Sequence, residues 1–102
     1  MFIVLVRHQV KPGMIDKANA RIDGNGDRMA ELPGFVFRHR MIAKNDPLLV
    51  STVTGWADEA SFDNWTRIKA GLSDSGESPY HRVETEKHSV ARSHLSAGEK
   101  VA

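Results

Sequence analysis

Apolar residues recur at two alternating periods along the chain, and each change of period marks an element boundary. Phe2 to Val10 is almost continuously apolar and β-branched until Arg7, which predicts a strand with both faces partly covered. Lys11-Pro12-Gly13 ends it, because proline lacks a donor and glycine permits a turn. From Met14 to Leu32, residues Ile15, Ala18, Ile22, Met29 and Leu32 recur at helical spacing, with Asp16, Lys17, Arg21, Asp27 and Arg28 opposite. Gly24 and Gly26 each cost about 1 kcal/mol relative to alanine inside a helix, so the pattern allows a kink or break near Asn25. Pro33-Gly34 then closes the helix.

Phe35 to Ile42 alternates, with Phe35, Phe37, His39 and Met41 on one face and Val36, Arg38, Arg40 and Ile42 on the other. The four-residue turn Lys44-Asn45-Asp46-Pro47 joins it to a strand from Leu48 to Trp56, and so short a link makes the pair an antiparallel hairpin. Asp58 is placed to cap a second helix with the stripe Phe62, Trp65, Ile68 and Leu72, ended by Gly71. A polar loop from Gly71 to Pro79 leads to a last strand, Tyr80 to Val90. The order β-α-β-β-α-β defines an α+β, ferredoxin-like sandwich, with both helices on one face of a four-stranded antiparallel sheet. The domain is expected to span residues 1–91, and the tail 92–102 lacks the apolar pattern that would hold it to a core.

Phe35, Phe37, Leu48, Val50, Val4 and Ile3 are too many apolar residues for two short helices to cover. A second copy is therefore expected on the open sheet face, giving a homodimer. A domain of 102 residues buries about 60–70% of its unfolded surface, so a large cavity would consume its core. Dimerisation makes a pocket easier to build.

Lys and Arg total 14 against 13 Asp and Glu, with no basic run, which argues against nucleic acid. Cysteine is absent, which removes disulfides and thiolate chemistry. Met1 to Val6 is too short for a signal h-region, and no stretch reaches the roughly 20 apolar residues of a membrane span, so a cytoplasmic location is expected. Asp23-Gly24-Asn25-Gly26-Asp27 begins like a calcium loop but continues with Arg28 where glycine is required and reaches Gly34 where a bidentate glutamate is required. No histidine pair has zinc-ligand spacing, so no metal is expected.

Two tryptophans, Trp56 and Trp65, flank one strand-to-helix junction. Such a pair is either a core corner or the wall of a flat apolar pocket. The histidines suited to acid–base work near neutral pH are His8, His39 and His81, all on expected strands. His39 shares its face with Phe37 and Phe35 and is the expected base, although a strand histidine bonded to a carbonyl or set at a dimer seam would look the same. Arg38, with Arg7 and Arg40, offers charge for an enolate or peroxide anion. Tyr80 and His81 stand where a pocket mouth would close.

The segments Met1-Phe2-Ile3, Val10-Lys11-Pro12-Gly13, Leu32-Pro33-Gly34-Phe35, and Trp56 followed by Ser61-Phe62-x-x-Trp65 resemble the antibiotic biosynthesis monooxygenase family and its haem-degrading relatives. The resemblance covers roughly residues 1–90 and implies a dimeric α/β-barrel. It also implies one of several activities, cofactor-free oxygenation of aromatic or quinol-type molecules or haem degradation; a non-catalytic ligand-binding or structural dimer is the alternative of a different class. Trp65 falls where haem degraders press a tryptophan on the porphyrin and where quinone-forming members line their pocket. Val6 stands where haem degraders carry asparagine, Ser75 occupies the region of their axial histidine, and the next histidine is His81. The expected activity is a cofactor-independent monooxygenase of a small aromatic molecule, with haem as the alternative cofactor. Its expected catalytic residues are His39, Trp65 and His81, and Val6, His8, Phe37, Arg38, Trp56, Phe62 and Tyr80 are expected to bind substrate.

Overall fold

The computed structural model describes residues 1–72 and 76–97. Its elements are β1 (Phe2–Val10), α1 (Ile15–Met29), β2 (Phe35–Ala43), β3 (Asp46–Trp56), α2 (Glu59–Ala70) and β4 (Tyr80–Ser89). The strands form one antiparallel sheet in the order β2-β3-β1-β4, the ferredoxin-like arrangement expected from the pattern. Among the described residues, no helix is long and apolar enough to cross a membrane.

Register decides what each face carries. Phe2 opposes Trp56, Val4 opposes Thr54, Val6 opposes Thr52 and His8 opposes Val50, and these side chains point toward the helices. Ile3, Leu5, Arg7 and Gln9 of β1 face the other way, beside Gly55, Val53, Ser51 and Leu49. The core under the helices has two clusters. One joins Phe2, Val4, Met29, Trp56 and Trp65, and the other joins Val10, Ala18, Ile22 and Val50.

Four local expectations change. Helix α1 runs unbroken through Gly24 and Gly26, and Gly26 lies against the Arg38 side chain of β2, where an added Cβ would stand 3.2 Å from Cδ and Nε. The hairpin turn is two residues, Lys44 and Asn45, with Ala43 paired to Asp46. Ile68 and Leu72 are exposed, so the inward stripe of α2 is only Phe62 and Trp65. The register shift between Phe35 and Phe37 turns Phe35 inward against Trp56, edge-on at 5.7 Å, and leaves Phe37 and His39 outward. A bulge adds one residue, and one residue swaps faces. The expected loop 71–79 and tail 92–102 fall partly on residues 73–75 and 98–102, outside the described residues.

Gly34 fixes the entry to β2. Its φ is +85°, and a Cβ there would collide with the Ser61 side chain at the start of α2, where Asp58 accepts the Ser61 N–H at 2.9 Å. Gly34→Ala is expected to cost about 1–3 kcal/mol, read as a lower midpoint in thermal denaturation.

Candidate active site

The two core clusters do not close on each other, and a cavity of about 220 Å³ lies in the seam between the sheet and the helices. Val4, Val6, Ile22 and Met29 supply apolar wall, and Trp56, Phe62 and Trp65 close one end with aromatic rings. His8, Arg38, Thr52 and Thr54 supply the polar groups, with Lys69 and Tyr80 also on the lining. On the core face of β3, Thr52 and Thr54 stand between Val50 and Trp56 and set hydroxyls into an otherwise apolar wall.

His8 is buried, with 8% of its surface exposed. Its Nδ1 lies 2.9 Å from the Val50 carbonyl oxygen. A carbonyl oxygen only accepts, so Nδ1 carries the proton and Nε2 is the basic nitrogen. Burial is the main force lowering the His8 pKa from its ordinary value. The positive charges of Arg38 and Lys69 push the same way, against the Val50 hydrogen bond. The imidazole is thus held neutral at pH 7, with one free lone pair. Its ring packs at 5.0 Å on Tyr80.

Arg38 reaches into the seam from β2. Its Nη1 donates to Thr54 Oγ1 at 2.8 Å and meets Met29 Sδ at 3.5 Å, while Nη2 makes only a long 3.5 Å contact to the Ile22 carbonyl. No carboxylate of the described residues forms an ion pair with it; Asp23 instead binds the neighbouring Arg40. Burial lowers the Arg38 pKa and Asp23 opposes the shift, but a guanidinium stays charged in either case. The cavity lining includes two cations, Arg38 and Lys69, and no Asp or Glu. An anion formed inside it is attracted by both cations, against the field of Asp23, which acts on Arg38 from outside the lining.

Val6, His8, Arg38, Trp56, Phe62, Trp65 and Tyr80 therefore gather around one cavity, whereas three of the expected site residues lie elsewhere. His39 and Phe37 stack on each other at 5.4 Å on the outward sheet face, so His39 is not the histidine of this cavity. His81 is exposed at the register shift near the β1–β4 ladder end and is absent from the lining. Thr52, Thr54 and Lys69 were not anticipated. The signal for the threonines was their place at alternate positions of a strand whose same face carries Val50 and Trp56.

The pattern of the antibiotic biosynthesis monooxygenase family matches residues 1–70. The chain belongs to this family. The family fold extends over nearly the whole chain. The heme-degrader MhuD of Mycobacterium tuberculosis is 14% identical with a TM-score of 0.73, covering 93% of this chain and 100% of its own. SnoaB of Streptomyces nogalater, a cofactor-independent oxygenase, is 14% identical with a TM-score of 0.71, covering 90% and 94%. PA3566 of Pseudomonas aeruginosa is 12% identical with a TM-score of 0.71, covering 89% and 94%. No curated protein sequence matches the chain significantly. At these identities the likeness establishes the monooxygenase-family fold and leaves the reaction to be argued from the cavity.

The residues expected to hold haem do not come together in that cavity, whose volume is about 220 Å³, small beside ordinary small-molecule sites of roughly 300–1,000 Å³. His81, the histidine expected to ligate iron, lies outside the lining, and His8 stands among strand residues deep in the seam. Among the described residues, no three His, Asp or Glu side chains converge as a metal site.

Proposed function

We propose that this family member is a cofactor-independent monooxygenase of a small electron-rich phenol, acting in the cavity around His8 and Arg38. The observation that supports it most is the pairing of a buried, neutral histidine of fixed tautomer with an arginine that makes no ion pair among the described residues. His8 Nε2 takes the phenol proton, and Arg38 holds the oxyanion. Trp56, Phe62 and Trp65 keep the ring in a dry slot. The anion passes one electron to O₂, and the resulting radical pair joins at an activated ring carbon to give a hydroperoxide. Loss of water then leaves a carbonyl. For 1-naphthol the sum is naphthol plus O₂ giving 1,4-naphthoquinone plus water, and the substrate supplies all four electrons. No external reductant enters. The description of SnoaB as a cofactor-independent oxygenase is consistent with such chemistry on this fold.

An oxygen electrode tests the reading. Chelator-treated protein, offered naphthols and other electron-rich phenols, is expected to consume O₂ faster than buffer. No protein-dependent uptake across the panel, or uptake that appears only after haem or metal is added, contradicts it.

The same reading places a second copy on the outward sheet face, where Ile3, Leu5, Phe37 and Val53 form an apolar centre. Phe37 lies directly over Gly55, where any Cβ would strike its ring, so this face is flattened around one aromatic. In light scattering the protein is expected at twice its 11.3 kDa chain mass. Leu5→Glu, which sets a charge among these residues and opposite Glu86, is expected to shift it toward a single chain.

A further inference from the structure

One polar group in the cavity has no part in the reaction above. Thr52 is completely buried, lines the cavity, and its Oγ1 has no hydrogen-bond partner among the described residues. The contrast with Thr54, two residues along the same face, is informative, because Thr54 Oγ1 is engaged by Arg38 at 2.8 Å. Buried hydroxyls are nearly always bonded. Valine has the same shape, suits a strand better and would leave nothing unsatisfied. Thr52 also sits opposite Val6, one position along the sheet face from His8, and both residues line the cavity.

We propose that the Thr52 hydroxyl is a ligand-recognition group: it bonds the acidic oxygen of the aromatic ligand that His8 deprotonates, and with Arg38 it forms a two-donor seat for that oxygen. The proposal rests on the reading of this cavity given above and adds its specificity determinant. The ligand class follows. It is a small aromatic with a hydroxyl that can lose its proton, and the site disfavours the same ring without that hydroxyl, because the Thr52 hydroxyl then stays unpaired and Arg38 keeps only its bond to Thr54 and its long Met29 and Ile22 contacts. Gly26, packed on the Arg38 side chain, helps to fix the second donor.

Thr52→Val tests this without turnover. Calorimetry under anaerobic conditions compares 1-naphthol with 1-methylnaphthalene, in which a methyl group replaces the hydroxyl. The wild-type protein is expected to prefer naphthol at least about tenfold, the preference to fall by about tenfold in Thr52→Val, and Thr52→Ser to retain it. The thermal midpoint of unliganded Thr52→Val is expected to equal or exceed that of the wild type, since the change removes an unsatisfied group. An unchanged preference in Thr52→Val, a lowered midpoint of the free variant, or failure of both compounds to bind the wild type overturns the proposal. Naphthol preference that depends on Thr52 with no oxygen uptake on any phenol would instead overturn the oxygenase reading and leave the recognition role standing.

Discussion

His8→Gln is expected to lower kcat on any phenol the protein oxidises by about 10²–10⁴-fold, the usual contribution of a positioned base, with a much smaller change in KM. Glutamine keeps a donor for the Val50 carbonyl but offers no basic nitrogen, so the fold around β1 is preserved while proton abstraction is lost. The pH dependence separates this from a packing defect. In the wild type the active form is neutral His8, so the rate falls as pH drops through its pKa. That pKa is lowered by burial and by the charges of Arg38 and Lys69, so the acid limb lies below the ordinary value of about 6.5. In His8→Gln the limb disappears, and the residual rate rises with hydroxide. Rate profiles from steady-state oxygen uptake read both effects.

Arg38→Met is expected to lower kcat/KM by about 10²–10³-fold, the scale of one lost oxyanion donor. Methionine retains much of the stem that packs on Gly26, so the loss follows the charge and not the volume. A second effect has a definite sign. Arg38 lowers the His8 pKa, so its removal raises that pKa and moves the acid limb of the rate profile to higher pH. A purely structural role for Arg38 would not couple to the His8 limb. Arg38→Lys retains charge but not the fork that bonds Thr54 while leaving other N–H groups free, and is expected to recover only part of the rate.

The fold was legible in the sequence because each element carried a strong period and firm punctuation. The apolar run before Lys11-Pro12-Gly13 and the Asp58 cap lie at the observed boundaries, and the helical spacing from Met14 to Leu32 brackets a helix that ends three residues earlier, at Met29. The site was legible only in part. Trp56, Phe62 and Trp65 declare themselves by size, but which histidine joins them depends on face, and face depends on register. Alternation placed Phe35 with Phe37 and His39. The irregularity between Phe35 and Phe37 breaks that set and leaves His39 outside while Arg38 turns inward. No local signal in Phe35-Val36-Phe37 announces such a bulge. His8 needed no bulge, since Phe2, Val4, Val6, His8 and Val10 alternate without interruption. Its place on the core face agrees with that alternation, but a strand apolar on both faces does not say which set faces the helices. Thr52 was missed because a threonine in a β-branched run reads as ordinary strand composition, and only its burial without a partner gives it meaning.

The measurement closest to the central claim uses ¹⁸O₂ with metal-free protein and the best phenol from the uptake panel. One labelled atom is expected in each quinone-type product and the other in water, with one O₂ consumed per substrate and the incorporation abolished in His8→Gln. Label absent from the product, release of hydrogen peroxide in place of water, or undiminished incorporation in His8→Gln would contradict oxygenation by His8 and Arg38 in this cavity.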